Sequence, residues 1–378
     1  MNILIANPYL ACGGTEERVL ALASEFRNRG HKTSFLIYGE PGTVSENPDF
    51  TVYKTTANMS AVIAAKIIER DKVNLVQQHN WQQVGLGAIQ AAKKAKLPAV
   101  YYAHDFCSIC CRRFMADGMS EAATPCVAAD PRKCELCAAP YNLYLLTRER
   151  EILEQADVGV SPSDYFTATL EAHGVLKGRW RKVTPWISPL FRDLFWSGYT
   201  SNTILFAGNL TYGKGVHTLV KALPKVAKEI PDVQLRLAGG VAFHERVVLE
   251  ARKLKVVERV FLLNVLPPKG LALEYVNAGV VCFPSNLPEA FGLVWAEAMT
   301  VGAPVVCSSV GSIPEYVRDY APLVKPGDVD GWAEAILTIF QDRSEAVKLA
   351  EKAREYAEKT FSVERAADEI LKIYEGLV

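Results

Sequence analysis

Residues 280–307 read VVCFPSNLPEAFGLVWAEAMTVGAPVVC, and they carry the clearest fold signal in the chain. The apolar runs 280–283 and 304–307 predict two strands, and a helix is predicted to begin near Leu293 between them. Because these strands are apolar on both faces, they indicate a parallel sheet with helices on each side. The stretch therefore predicts a strand–helix–strand unit of the α/β class.

Strand-like and helix-like segments alternate in both directions from this stretch. In the first part of the chain we predict strands at 3–6, 33–37, 75–77, 99–103 and 158–160, and helices at 16–29, 58–70, 84–95 and 141–155. In the second part we predict further strands at 204–207, 234–238 and 260–263, and helices at 216–228 and from 329 onward. The 378 residues therefore suit two βαβ domains.

The domain boundaries follow from the places where the alternation stops. An irregular stretch, 184–202, separates the two series and predicts the link. We expect an N-terminal Rossmann-like domain over 1–185, a C-terminal one over 186–362 and a final helix over 363–378. Residues 106–140 are rich in Cys, Arg, Asp and Pro and predict an insertion in the first domain. Neither half has G-x-G-x-x-G after its first strand, which argues against a dinucleotide oxidoreductase.

Composition excludes several classes of protein. Lys plus Arg and Asp plus Glu both total 42, so a strongly basic nucleic-acid binder is not expected. The hydrophobic share of 49% is enough for two buried cores. No run of 18 apolar residues predicts a membrane span, and the opening strand lacks the pattern of a signal peptide. We therefore expect a cytoplasmic protein with at most peripheral contact at the inner face of the membrane.

The helix predicted near Leu293 has features of a phosphate site. The amides of Gly292, Leu293 and Val294 would point out of its start, and Gly292 lets a ligand approach closely. Glu297, further into the helix, could accept hydrogen bonds from a pair of ribose hydroxyls, and Glu289 could reach another part of the same ligand. An ordinary strand–loop–helix unit with solvated acids is the alternative.

Glu289 and Glu297, separated by seven residues, resemble the E-x7-E motif of the retaining glycosyltransferases of family 4, the group 1 glycosyltransferases. The segments that agree with this family are 283–285, 291–293, 297–299 and 302–306. The resemblance covers most of 203–342 and implies a GT-B fold, with two Rossmann-like parallel-sheet domains facing an interdomain cleft. It further implies that Glu297 binds the nucleotide ribose, that Glu289 contacts the donor sugar, and that the final helix crosses back to the N-terminal domain.

The loop 208–215, GNLTYGKG, follows the first strand of the second domain. The ammonium of Lys214, just before a helix, could neutralise a diphosphate leaving group, and a solvated surface charge is the alternative. The loop resembles the family segment in which an arginine and a lysine bind the donor diphosphate. Lys214 matches that lysine, whereas Asn209 stands where the family usually has arginine, so one positive charge is missing.

Gly13 and Gly14 lie between the first strand and its helix, where two glycines allow a close approach of the backbone. Glu16 and Glu17 follow in the first helical turn and would repel a phosphate. A tight turn is the alternative. The resemblance places Gly13 and Gly14 beneath the donor sugar and beside the acceptor.

His104 and Asp105 follow the strand 99–103, at the edge of a parallel sheet where ligands bind. A structural histidine is the alternative. The resemblance implies that His104 touches the donor sugar, with Asp105 beside it. His79 also ends a strand and is a candidate for the acceptor side.

Six of the nine cysteines lie between residues 107 and 137 and include two C-x-x-C pairs. Such thiolates suit a structural zinc site or an iron–sulfur cluster, and unligated thiols or disulfides are the alternatives. The insertion resembles that of a subset of the family, which favours four ligands with two additional candidates. The four are Cys110, Cys126, Cys134 and Cys137, and the additional ones are Cys107 and Cys111.

The resemblance implies an enzyme that transfers a sugar from a nucleoside diphosphate sugar to an acceptor hydroxyl with retention of configuration. The expected acceptor is a glycan or a lipid-linked molecule. No D-x-D acidic pair lies at the predicted crevice, so no catalytic divalent cation is expected. A GT-B sugar-nucleotide epimerase and a non-catalytic nucleotide-sugar binding protein are the alternatives. The E-x7-E motif argues against the epimerase, and Asn209 leaves the binding protein open.

Overall fold

The computed structural model describes residues 1–10, 14–110, 140–240 and 243–378. Over these residues the chain divides into two compact units, each built around its own sheet. Unit 1 contains residues 1–10, 14–110, 140–186 and 363–378, and unit 2 contains residues 187–240 and 243–362. The prediction of two parallel-sheet α/β domains is therefore confirmed.

Unit 1 contains an eight-stranded sheet. Its strands are β1 (Asn2–Ala6), β2 (Lys32–Tyr38), β3 (Val44–Glu46), β4 (Thr51–Thr55), β5 (Leu75–Gln78), β6 (Ala99–Tyr102), β7 (Val158–Ser161) and β8 (Trp180–Lys182). Their order across the sheet is β3-β4-β2-β1-β5-β6-β7-β8. All neighbouring strands are parallel except β3, which pairs antiparallel with β4 at the edge. The strand order reverses between β1 and β5, where a parallel sheet opens a crevice for ligands.

Helices flank the sheet of unit 1. They include α1 (Gly14–Asn28), α2 (Ser60–Arg70), α3 (Gly87–Lys94), α4 (Pro140–Leu153) and α5 (Asp164–Ala172). Ile3 and Ile5 of β1 are fully buried against Leu22 and Phe26 of α1. Strand β1 thus presents alternate side chains to a helix layer, as the apolar pattern predicts.

Unit 2 contains a six-stranded sheet in which every pair of neighbours is parallel. Its strands are β9 (Thr203–Ala207), β10 (Gln234–Ala238), β11 (Val260–Asn264), β12 (Val280–Phe283), β13 (Val305–Ser308) and β14 (Leu323–Val324). The order β11-β10-β9-β12-β13-β14 is that of doubly wound nucleotide-binding folds. Its reversal point lies between β9 and β12.

Both faces of the second sheet are buried. The covering helices are α6 (Val216–Glu229), α7 (His244–Lys253), α8 (Pro268–Asn277), α9 (Leu293–Val301), α10 (Ile313–Val317), α11 (Val329–Gln341) and α12 (Arg343–Thr360). Ile204 and Phe206 belong to one core cluster, whereas Leu205 and Ala207 belong to the other. Successive residues of β9 therefore point into opposite cores, which explains why residues 204–207 are all apolar.

The last helix, α13 (Val363–Glu375), belongs to unit 1 and packs on α1. The ring centroids of Tyr374 and Phe26 lie 5.9 Å apart, and an ion pair of 2.9 Å joins Arg29 to Asp368. Ile370 is fully buried in the same core cluster. Within the described ranges, no helix has the length and apolar character needed to cross a membrane.

Several elements were not predicted from the sequence. Strand β3 is exposed along its whole length, and β4 has polar residues at several positions, so neither has a continuous apolar run. Helices α7 and α8 were also missed. The helix predicted over 84–95 begins only at Gly87, because Gln83 and Gly85 adopt positive φ angles of 64° and 65°. A left-handed backbone at these positions ends the preceding turn and delays the helix.

Arg354 of α12 holds the segment that leads into the second sheet. Its Nη1 donates to the carbonyl oxygens of Leu194 and Val301, at 2.6 and 2.9 Å, and its Nη2 donates to that of Arg192 at 2.9 Å. The guanidinium also lies 4.0 Å from the ring centroid of Phe195. One planar fork therefore satisfies the last carbonyl of α9 and two carbonyls of the segment before β9.

Replacing Arg354 by Met should destabilise unit 2 by about 2 kcal/mol, because three hydrogen bonds from the guanidinium to backbone carbonyls are lost. Arg354→Lys is the matched control, since it keeps the charge and the stem without the fork, and we expect a smaller loss. Urea unfolding with hydrogen exchange at residues 192–195 measures both variants. Equal stability of Arg354→Met and the unmodified chain would show that these hydrogen bonds contribute little.

Candidate active site

Two loops of unit 2 meet at the carboxyl ends of β9 and β12. Gly215, at the end of the loop 208–215, has a φ of +72°, and a Cβ atom there would lie 1.7 Å from the carbonyl oxygen of Pro284. The backbone amide of Asn286 donates to the backbone carbonyl of Gly213 at 2.8 Å. Glycine is thus required where the two loops touch. This contact lies at the point where the strand order reverses.

Lys214 and Glu289 form an ion pair across these loops. The Nζ atom of Lys214 lies 2.7 Å from Oε1 of Glu289, and the Oγ atom of Ser285 donates to the same oxygen at 2.6 Å. The side chains of Lys214 and Glu289 are 30% and 15% exposed. The structure therefore brings together two residues that the sequence analysis treated as separate. Ser285, which donates a hydrogen bond to this carboxylate, was identified from the sequence only as part of the segment 283–285 that agrees with the family.

A third loop, which the sequence analysis did not include, supports Glu289 from the backbone side. The amide of Ser312 donates to the carbonyl of Glu289 at 3.1 Å. A Cβ atom at Gly311, whose φ is +61°, would lie 2.5 Å from the amide nitrogen of Glu289. Loops after β9, β12 and β13 thus converge on one residue, Glu289, with the third loop contacting its backbone.

Helix α9 begins beside this carboxylate without a side-chain cap. Gly292 is its N-cap residue, with a φ of +98°, and has no side-chain hydrogen bond to the first turn. A Cβ atom at Gly292 would lie 2.7 Å from Nε1 of Trp295, so the position has no room for a side chain. Leu293 and Val294 are only half-buried. The first amides of α9 and the helix dipole suit an anion at this end.

Glu297 lies in the second turn of α9 and contacts α8. The hydroxyl of Tyr275 donates to its Oε2 atom at 2.9 Å. Burial and the Glu297 carboxylate raise the pKa of Tyr275 well above its usual value, so this phenol stays protonated and remains a donor. Tyr275 therefore fixes the carboxylate of the residue that was predicted to bind ribose. No sequence pattern indicated Tyr275, because it lies 22 residues away on another helix.

Asn209 stands at the position where the family usually has arginine. Its side chain is exposed and faces the loop after β10. A Cβ atom at Gly240 would lie 3.8 Å from its Oδ1 atom. A positively charged side chain, Arg246, lies near Tyr212 of the loop 208–215. The guanidinium of Arg246 lies 5.9 Å from the ring centroid of Tyr212 and 5.2 Å from that of Phe243.

The two histidines predicted in unit 1 are brought together. Nδ1 of His79 lies 2.7 Å from Nε2 of His104, and the planes of the two rings differ by 15°. Burial, with a contribution from the charge of Arg18, lowers the pKa of His79 to about 3. His79 is therefore neutral at physiological pH. His104 is half-buried at the carboxyl end of β6.

Asp105 has a local structural role. Its Oδ1 atom accepts a hydrogen bond from the amide of Cys107 at 2.9 Å and caps the short 3-10 turn Phe106–Ser108. The described geometry therefore explains this carboxylate without a ligand. Whether it also lies beside a bound sugar stays a prediction.

Several predicted residues lie outside the described part of the chain. They are Gly13, Cys111, Cys126, Cys134 and Cys137. Gly14 is the first residue of α1. Among the described cysteines of this segment, Cys107 is buried and Cys110 is half-buried. Within the described ranges, no group of three or more His, Cys, Asp or Glu side chains could hold a metal ion. The metal predicted for residues 106–140 thus stays a prediction.

The chain resembles solved structures over its whole length. Sucrose-phosphate synthase from Thermosynechococcus elongatus superposes with a TM-score of 0.74 at 21% identity, over 100% of this chain and 98% of that one. Anabaena Alr3699/HepE in complex with UDP-glucose gives a TM-score of 0.74 at 20% identity, over 100% of both chains. At these identities the likeness shows the fold, and it confirms the GT-B prediction.

Curated relatives match over shorter stretches. The D-inositol 3-phosphate glycosyltransferase of Corynebacterium urealyticum is 28% identical over 251 residues, which is 61% of this chain and 59% of that protein. The glycogen synthase of Mycobacterium tuberculosis is 31% identical over 173 residues, which is 45% of this chain and 42% of that protein. The chain thus spans about half the length of the curated relatives it matches.

Two family models match adjacent parts of the sequence. Residues 12–189 match Glycosyltransferase Family 4, and residues 197–360 match Glycosyl transferases group 1. The two matches leave only short segments at the ends and between the units uncovered. The chain therefore belongs to the group 1 glycosyltransferases of family 4.

Proposed function

We propose that the protein is a glycosyltransferase that moves a sugar from a nucleoside diphosphate sugar to an acceptor hydroxyl, with retention of anomeric configuration. The observation that carries the proposal is the ion pair of Lys214 and Glu289 beside the uncapped start of α9. This arrangement offers one fixed cation and one helix dipole to a diphosphate. Membership of the glycosyltransferase family supports the same reading.

Lys214 would stabilise the departing diphosphate. An ammonium group has three donors, and Glu289 accepts one of them at 2.7 Å, so the others suit phosphate oxygens. The first amides of α9 would bind the same group from the other side. Because negative charge develops on the leaving oxygen, donors that are already in place lower the barrier to departure.

Glu289 and Glu297 would hold the two ends of the donor. Glu289, fixed by Ser285 and Lys214, would contact hydroxyls of the transferred sugar. Glu297, fixed by Tyr275, would accept hydrogen bonds from the ribose. Carboxylates that cannot rotate lose little side-chain entropy when they bind a ligand.

The solved relative with UDP-glucose bound suggests a UDP-sugar as the first donor to test. The curated relatives are named for inositol phosphate and glycogen, so we propose a polyhydroxylated acceptor, a glycan or a lipid-linked molecule. Unit 1 would contribute His104 toward the transferred sugar and His79 on the acceptor side. We propose no catalytic divalent metal, since Lys214 and α9 already supply positive charge to the diphosphate.

We expect one nucleotide series, among UDP, GDP and ADP and their glucose conjugates, to raise the melting temperature without added metal. At one hundred times the Kd, a ligand adds about 2.7 kcal/mol of stability, a shift of several degrees. Product NMR should then show the anomeric configuration of the donor. An isomerised sugar nucleotide formed without any acceptor would support an epimerase, and binding without turnover over a broad acceptor panel would support a binding protein.

Glu297→Gln should weaken binding of the nucleoside diphosphate by roughly 10- to 100-fold, because the ribose loses a charged acceptor worth about 1.5–3 kcal/mol. Inorganic pyrophosphate is the matched control ligand, since it lacks ribose and its affinity should not change. Isothermal titration measures both ligands, and Tyr275→Phe should reproduce part of the loss. Equal weakening of both ligands would place Glu297 outside the ribose site.

Asn209→Arg should tighten binding of pyrophosphate and of the nucleoside diphosphate by about tenfold at low salt, because a guanidinium can bridge two phosphate oxygens. The gain should shrink as salt is raised. Arg246→Met, in the unmodified background, tests whether that neighbouring cation already supplies the charge. No gain in Asn209→Arg and no loss in Arg246→Met would show that neither position contacts the diphosphate.

A further inference from the structure

A chain of side-chain hydrogen bonds crosses unit 1 from the last helix to His104. The hydroxyl of Tyr374, on α13, donates to Oε1 of Gln77 at 2.5 Å. Nε2 of Gln77, on β5, lies 2.5 Å from Nε2 of His79. Nδ1 of His79 then lies 2.7 Å from Nε2 of His104, as described above. Gln77, His79 and Tyr374 are all fully buried.

The order of donors along this chain is determined at Gln77. Its carbonyl oxygen accepts from a phenol, so its amide nitrogen faces His79, and an amide nitrogen can only donate. Nε2 of His79 must therefore accept. A neutral His79 then carries its proton on Nδ1 and donates it to His104.

The surroundings of His79 keep it neutral. Its ring is fully buried, with the ring centroid of Tyr102 at 4.8 Å. Burial lowers its pKa to about 3, so it does not take up a second proton near neutral pH. With one proton to place, the acceptor role at Nε2 determines the donor role at Nδ1.

We propose that Gln77 and Tyr374 are positioning residues that fix the tautomer of His104. Because Nε2 of His104 accepts from His79, a neutral His104 carries its proton on Nδ1 and is a donor at that atom. The proposal rests on the proposed function, in which His104 contacts the transferred sugar. It deepens that function, since a donor at Nδ1 selects a sugar oxygen that accepts.

The link also joins distant parts of the sequence. Tyr374 and Gln77 are 297 positions apart, yet they share one buried hydrogen bond. Helix α13 thus contributes to the tautomer of His104, although two side chains, Gln77 and His79, lie between Tyr374 and His104. A helix that only filled space would need no hydroxyl at this position.

The test reads the histidine tautomers directly by long-range proton–nitrogen NMR on the full, ligand-free, nitrogen-15-labelled chain. Six histidines are present, and single His79→Gln and His104→Gln variants assign the two signals. We expect a protonated Nδ1 and an unprotonated Nε2 at His79, and the same tautomer at neutral His104. In Gln77→Glu the carboxylate can only accept, so the protons of both histidines should move to Nε2.

Glycosyl transfer gives a second readout. Gln77→Glu should lower kcat at least tenfold and leave the affinity for the nucleoside diphosphate alone within about twofold. Tyr374→Phe should give a mixture of tautomers and a smaller loss, because the amide of Gln77 can then rotate. Tyr102→Phe is the matched control. It removes a buried hydroxyl that lies 3.3 Å from the hydroxyl of Tyr374. The hydrogen bonds that link Tyr374 to His104 remain, so the tautomers should not change.

The proposal is overturned if His79 of the unmodified chain carries its proton on Nε2. It is also overturned if the tautomer of His104 is unchanged in a folded Gln77→Glu variant. If that variant does not fold, Tyr374→Phe decides, with an unchanged tautomer as the opposing result. Because the tautomers are read without substrate, a chain that transfers no sugar would contradict the proposed function and leave this inference testable.

Discussion

Burial of both faces of each parallel sheet is the constraint on which the rest of the molecule depends. Ile204 and Leu205 are adjacent in β9 and yet lie in different cores, so residues 204–207 are all apolar. Charged side chains are therefore placed in the loops at the strand ends, where ligands of parallel sheets bind. The three loops that surround Glu289 and the paired histidines of unit 1 all occupy such ends.

Within that constraint, close backbone contacts determine the precision of the second unit's site. Gly215 against Pro284 and Gly311 against Glu289 leave no room for a Cβ atom. These contacts fix the loops before any side chain is considered. The ion pair of Lys214 and Glu289 can then form with both partners partly shielded from water, where it is stronger than at the surface. Both charges are thereby held ready for a charged ligand.

The sequence predicted the parts of the molecule that repeat a local pattern. Apolar runs located strands such as β12, and the start of α9 was predicted at Leu293 because Gly292 precedes it. The short, polar strand β3 had no such pattern and was missed. Within the site, Glu297 was identified but its partner was not. Tyr275 is an ordinary core tyrosine in sequence, and only tertiary packing brings its hydroxyl to the carboxylate.

The same limit applies to unit 1. His79 and His104 were each placed at a strand end, and their contact follows from adjacent parallel strands. Gln77 and Tyr374 carry no local signal, since the sequence around each of them does not show which side chain it contacts. Their importance depends on a contact between segments at opposite ends of the sequence.

The assignment of α13 to unit 1 has a consequence for the order in which the protein is made. The described residues of unit 2 all lie between Trp186 and Val363, so they have all been made before synthesis of α13 begins. Unit 1 still lacks Ile370 and Tyr374, which are fully buried in its core. During synthesis the domain that starts first is therefore finished last. Until α13 has been made, the apolar side chains of α1 that it covers, such as Phe26, stay exposed.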